Sequence, residues 1–192
     1  MEQELFDILS DLEMRNEKEK MRGGDGIQAM DPDSAKLIST LAVSKQAKLI
    51  VEVGGGVGYS TLWLAYAVAM TGGKVVSCEI DPDKAAQALD NLKKANLADY
   101  VELLIGDARE VLRNREGTVD FLLIDGDYGQ YETYFDVVYK RMEVGGMIVA
   151  DDVVEEENAL SDYVSYMQNH PNLESTTVPL GDGLEITVKT LA

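Results

Sequence analysis

From residue 31 onward, short runs of aliphatic and β-branched residues alternate with stretches whose apolar positions recur at helical spacing. The runs at 49–53, 75–79, 101–105, 121–124 and 147–150 read as buried strands of a parallel sheet. Between them the pattern predicts helices at about 60–70, 83–96, 108–114, 130–142 and 155–169. Asp31-Pro32-Asp33 and Asp81-Pro82-Asp83 each offer an Asp cap followed by Pro at the first helical position. Glu155, Glu156 and Glu157 add negative charge at another helix start, where the dipole favours it. Repeated β-α units imply an α/β sheet with helices on both faces. The last two strand-like runs, 176–179 and 184–189, are separated only by Leu180-Gly181-Asp182-Gly183. That connection is too short for a parallel crossover, so these runs predict an antiparallel hairpin.

The first thirty residues stand apart. Leu5, Ile8, Leu9 and Leu12 share one helical face, a polar stretch follows, and Gly23-Gly24-Asp25-Gly26 forms a loosely restrained loop. Residues 1–30 therefore read either as a helix packed on the core or on a partner subunit, or as a mobile cover over a ligand cleft. With 192 residues, no internal repeat and no low-complexity tract, one domain spanning 1–192 is expected.

Charge narrows the partners. Seventeen Lys and Arg against 35 Asp and Glu leave a formal charge of −18, and no basic run exceeds Lys93-Lys94. Such a chain repels phosphates, so neither nucleic acid nor an anionic membrane is an expected partner. The acidity serves solubility or favours a cationic ligand. No apolar run approaches the roughly 20 residues of a membrane span. Met1-Glu2-Gln3-Glu4 opens no secretory signal, and the lone Cys78 excludes an internal disulfide, so a cytoplasmic setting is expected.

The strongest local motif is Val51-Glu52-Val53-Gly54-Gly55-Gly56-Val57-Gly58-Tyr59-Ser60, leaving one predicted strand and entering a helix. Glycines there admit a ligand close to the backbone and leave amides free at the helix start. The spacing lacks the third glycine of a dinucleotide fingerprint and the Lys of a phosphate-binding loop. The next strand ends at Glu79, placed to accept hydrogen bonds from both hydroxyls of a ribose. The third is followed by Ile105-Gly106-Asp107-Ala108. Asp125 and Asp127 close the fourth strand, and Asp151 and Asp152 the fifth. Carboxylates converging at that edge need protons or a hard cation such as Mg²⁺, Ca²⁺ or Mn²⁺; the alternative is that they cap the following helices.

Glu52, Gly54, Gly56 and Gly58 in the spacing E-x-G-x-G-x-G, with the acidic strand end and Gly-Asp-Ala, resemble class I S-adenosylmethionine-dependent methyltransferases. The resemblance implies a Rossmann-like, seven-stranded, mostly parallel sheet, with S-adenosylmethionine bound by Glu52, Gly54, Gly56, Gly58, Ser60, Glu79, Asp107, Ala108 and Asp125. Residues from about 28 to 190 further resemble the metal-dependent O-methyltransferases that include the catechol and caffeoyl-coenzyme A enzymes. This implies a divalent cation on Asp125, Asp151 and Asp152, catalytic positions at Asp125 and Tyr128, a small hydroxylated acceptor and a homodimer. Asp182-Gly183-Leu184 matches the family's terminal segment, and Glu185 aligns with a residue that contacts the acceptor. Two positions depart from the family: Asp152 replaces an Asn, and Tyr128 replaces a catalytic Lys. A phenol with an ordinary pKa of about 10 is a poor base at neutral pH unless a cation depresses it. A metal-independent methyltransferase and a non-catalytic nucleoside-binding protein are the alternatives. His170 reads as a surface residue and Trp63 as core, with Tyr131, Tyr134 and Tyr139 at the surface or a subunit contact.

Overall fold

The computed structural model describes residues 2–24 and 26–191, apart from the side chain of Glu2; Met1, Ala192 and Asp25 of the expected glycine-rich loop lie outside the described residues. Helices α1 (Glu2–Met21) and α2 (Pro32–Lys45) lead into β1 (Leu49–Val53). Then follow α3 (Tyr59–Thr71), β2 (Lys74–Glu79), α4 (Pro82–Lys94), β3 (Val101–Ile105), α5 (Ala108–Val111) and β4 (Val119–Ile124). The chain continues through α6 (Tyr131–Tyr139), β5 (Met142–Ala150), α7 (Glu157–Asn169), β6 (Leu173–Val178) and β7 (Leu184–Lys189).

The strands form one sheet in the order β3-β2-β1-β4-β5-β7-β6. Five strands run parallel, and β7 pairs antiparallel with both β5 and β6. The order reverses between β1 and β4, which opens a crevice at the strand C-termini. Two cores flank the sheet. Ile50, Val75, Phe121 and Leu123 face α1, α2, α3 and the end of α4, whereas Val51, Val53, Leu122 and Ile124 face α5, α6 and α7.

Both Asp caps form as expected: Asp31 Oδ1 accepts from the amides of Asp33 and Ser34, and Asp81 Oδ1 from those of Asp83 and Lys84. Four boundaries differ from the sequence pattern. Helix α6 stops at Tyr139, and β5 starts already at Met142, because Met142 pairs with Val119 before a register shift carries the ladder on to Met147. Strand β6 starts at Leu173, and α5 closes after a single turn.

Helix α1 packs on α3 and α4 through Leu5, Leu9 and Leu12, each at most 5% exposed. Burying each is worth about 1.5–3 kcal/mol. Polar ties add direction. Glu13 accepts a hydrogen bond from the Tyr59 hydroxyl at 2.6 Å, Arg15 donates to Gln87, and Asn16 Oδ1 accepts from the Ile27 amide at 2.9 Å. The apolar face expected to meet a second subunit is thus spent within the chain. Tyr131 and Tyr134 are buried in the α6 core rather than at the surface. His170 packs edge-on against Phe135, Tyr139 and Tyr166. Trp63 is half-buried beside Phe6. Among the described residues, no helix is long and apolar enough to cross a membrane.

Candidate active-site cleft

A cleft of about 630 Å³ opens at the C-terminal ends of β1 to β5, where the strand order reverses. The backbone at its edge can come so close because of the glycines. Gly54 sits at φ +90, and a Cβ there would lie 1.6 Å from the Asp125 carbonyl oxygen, so any other residue would push the β1 and β4 ends apart. A Cβ on Gly56 would meet nothing within 4 Å: this glycine faces open space. Gly54 and Gly55 donate to the Cys78 carbonyl at 2.9 and 3.1 Å, pinning the loop to β2. Helix α3 follows without a side-chain cap, its N-cap being Gly58.

Gly54, Gly56, Glu79, Asp107, Ala108, Asp125, Tyr128, Asp151 and Asp152 all line this cleft. Glu52, Gly58 and Ser60 do not. Glu52 is fully buried beneath the glycine loop and accepts from the hydroxyls of Ser60 at 2.7 Å, Thr61 at 2.6 Å and Ser77 at 2.5 Å. Burial pushes its carboxyl above the usual range, against those three donors. Its side chain fastens β1, β2 and α3 together and has no free path to a ligand. Ser60 spends its hydroxyl on Glu52, and Gly58 packs against Ala88 of α4.

Glu79 accepts from the Gly56 amide at 2.6 Å and the Asp81 amide at 2.8 Å, which holds its carboxylate at the cleft wall. Asp107 caps α5, and both its oxygens accept from the Arg109 guanidinium. That hydrogen-bonded ion pair holds the Asp107 carboxyl below its ordinary value. Arg109 also donates to Gln130 at 2.8 Å, bridging the loops after β3 and β4.

Carboxylates form the floor. Asp125, at the end of β4, is half-buried, and its carboxyl is pushed well above the usual range by desolvation and by the charges of Asp151 and Asp152. Asp151 is 2% exposed, and its Oδ1 has no hydrogen-bond partner. Burial, then the neighbouring Asp152, raises its carboxyl to about 8. Asp152 adopts φ +65 and is raised by burial against a 2.9 Å hydrogen bond from the Tyr128 hydroxyl. The phenol of Tyr128 is raised by burial and by Asp152, opposite to what a base at neutral pH needs. Tyr128 is a donor here.

This floor suits a hard cation. An orphaned buried oxygen and three mutually raised carboxylates offer oxygen ligands whose repulsion a divalent ion would relieve. The sequence reading missed Glu155 and the side chain of Asp182, which join Asp152 with oxygens within 4.8 Å of one another. The Val154 and Glu155 amides donate to the Asp182 carbonyl, bringing two distant loops together. Glu185, by contrast, is fully buried on β7 and held by Ser175 and Thr177 of β6 and Gln168 of α7, outside the cleft lining. Tyr134 was also missed and lines the wall. The roof comes from the first third of the chain: Lys20, Gln28, Ala29 and Met30, with Gln28 held by a hydrogen bond from Lys84 at 2.8 Å.

Comparison with known proteins gives a consistent picture. A family model described as O-methyltransferase matches residues 4–190. A catechol O-methyltransferase of Niastella koreensis is 33% identical over 138 residues, 70% of this chain and 62% of the relative. The chain thus spans less than two thirds of that relative's length. A catechol O-methyltransferase of Mycobacterium tuberculosis is 30% identical over 162 residues, 78% of this chain and 73% of the relative. The crystal structure of an O-methyltransferase from Bacillus cereus in complex with SAH superposes with a TM-score of 0.80 at 25% identity, covering 96% of this chain and 91% of that one.

Proposed function

The chain belongs to the O-methyltransferase family, and we propose that it transfers the methyl group of S-adenosylmethionine to a hydroxyl oxygen of a small acceptor. The observation that carries this reading is the juxtaposition of an open glycine edge and a carboxylate floor in one cleft. The bare backbone at Gly54 and Gly56 receives the methionine part of the cofactor, Glu79 accepts from the ribose hydroxyls, and Asp107 and Ala108 border the adenine. Glu52 and Ser60 act on that edge from behind, by holding it in place. Asp125 lies between the cofactor edge and the floor.

Asp125, Asp151 and Asp152 would hold Mg²⁺, Ca²⁺ or Mn²⁺, and a cation there orients vicinal hydroxyls and lowers the pKa of the attacking one. Tyr128 fixes the Asp152 carboxylate by its hydrogen bond. The reaction breaks the sulfur–methyl bond as the oxygen–methyl bond forms, so the chain's main task is to align two ligands at attack distance. A cytoplasmic setting fits the lone Cys78, which is buried and whose thiol burial pushes up to about 12.

The test is transfer of labelled methyl from S-adenosylmethionine to a panel of catechols and simple phenols, with and without a chelator. Product that appears with catechols and disappears with chelator is expected. Product that survives chelator unchanged refutes the cation's part, and binding of the cofactor without any product refutes the enzyme.

A further inference from the structure

The loops after β3 and β4 are linked although their strands are not neighbours; β2 and β1 lie between them in the sheet. One side chain makes that link. Arg109, the second residue of α5, lines the cleft, and its guanidinium is held from two sides. Nε donates to both oxygens of Asp107 at 3.0 Å, and Nη2 donates to Asp107 Oδ2 at 2.5 Å. Nη1 donates to Gln130 Oε1 at 2.8 Å.

These bonds decide what each partner can offer a ligand. Asp107 Oδ1 accepts from the Arg109 backbone amide as well as from Nε, and Oδ2 accepts from Nε and Nη2. The Asp107 carboxylate is therefore spent within the chain. The same ion pair balances the Arg109 charge, so this guanidinium is no free docking point for an anion. Hydrogen bonds use the edges of the planar guanidinium, and what it keeps for a neighbour is a flat face that stacks on aromatic rings. Ile80 also lines the cleft and is 69% exposed. Strands β2 and β3 end side by side, with Glu79 opposite Ile105, so Ile80 and Arg109 leave adjacent strand ends. A flat heteroaromatic ring satisfies both an apolar side chain and a guanidinium face.

We infer that Arg109 holds the adenine of S-adenosylmethionine by laying its guanidinium face on the base, and that Asp107 fixes this face instead of reading the base itself. The inference rests on the methyl-transfer reading for the cofactor's place in the cleft. Glu79, which takes the ribose in that reading, directly precedes Ile80, so the base lies next along the β2–β3 edge. The contact expected of Asp107 passes to the residue two positions on, and Gln130 anchors that residue from across the cleft.

The experiment compares two ligands: S-adenosylhomocysteine, measured by calorimetry, and S-ribosylhomocysteine, measured by competition against it. The second has the same sugar and amino-acid parts and no base. Arg109→Met keeps an unbranched side chain and removes the planar cation. It should weaken S-adenosylhomocysteine by about three- to thirtyfold and leave S-ribosylhomocysteine within about twofold of its wild-type affinity. Adenosine, which has the base and lacks the amino-acid part, should lose the same factor as S-adenosylhomocysteine. A variant that binds S-adenosylhomocysteine as the wild type does overturns the inference and leaves the methyl-transfer reading standing. Equal losses for the ligands with and without the base mean that Arg109 only ties the two loops together, and they overturn the inference as well. A wild type that binds none of the three refutes the methyl-transfer reading and takes the inference with it.

Discussion

Asp151→Asn should change how stability depends on pH. In the folded chain the Asp151 carboxyl titrates at about 8, whereas an Asp in the unfolded chain titrates near about 4. Between these values the folded state keeps a proton that the unfolded state has released, so stability falls as pH rises through that window and is fully retained below it. One such proton is worth about 1.4 kcal/mol per pH unit, with a ceiling of roughly 5 kcal/mol across the window. For a chain of this size that slope corresponds to about 3–5 °C in melting midpoint per pH unit. Asn carries no titrating proton and removes this slope, at the cost of an amide that must find partners where Oδ1 had none. Thermal melts from pH 5 to 8.5 in chelator should therefore show the wild type losing stability more steeply than the variant, with the variant the more stable at pH 8. Repulsion from the acidic surface acts on both proteins and cancels in the difference. Parallel curves for the two proteins would refute the reasoning. Millimolar Mg²⁺ at pH 8 should then stabilise the wild type more than the variant, because a bound cation relieves the same repulsion.

Tyr128→Phe removes a hydrogen bond to Asp152 and no base, so kcat/KM should fall by about tenfold or less; a loss of a thousandfold would make the phenol the proton acceptor after all. Gly54→Ala forces a Cβ onto the Asp125 carbonyl at a positive φ, and calorimetry should show cofactor binding lost even where circular dichroism shows a folded chain. Glu79→Ala removes the acceptor for the ribose hydroxyls and should weaken S-adenosylmethionine binding by about ten- to a hundredfold. Leu9→Ala opens a hole under α1 and should cost about 2–4 kcal/mol in urea unfolding.

The strands were legible because each is a short β-branched or aliphatic run, and the hairpin because its connection is too short for anything else. The cleft-lining acids were legible because strand C-termini are where such sheets bind ligands. Glu52 lies beneath the loop instead of in the cleft for a reason of parity: in β1 it shares a face with Ile50, which packs under the helices α1 to α3, whereas Val51 and Val53 face the opposite core. Spacing along the chain located Glu52 beside the glycine loop without telling which side of the sheet it would occupy. Glu155 and Asp182 lie on separate loops, and only the backbone hydrogen bonds between those loops bring them together. The stripe of Leu5, Leu9 and Leu12 announced a buried face, but not that α3 and α4 would bury it.

The roof of the cleft belongs to the first thirty residues, and its walls belong to the sheet edge. The two are joined by the buried Leu5, Leu9 and Leu12, which share a core with α3 and the sheet, and by the polar ties of Glu13 to Tyr59, Arg15 to Gln87 and Lys84 to Gln28. The segment over the cleft is therefore built into the same core that carries the glycine edge. Any exchange of the leading segment would have to keep that leucine stripe as well as the three polar ties, because removing it would uncover the core beneath the glycine edge.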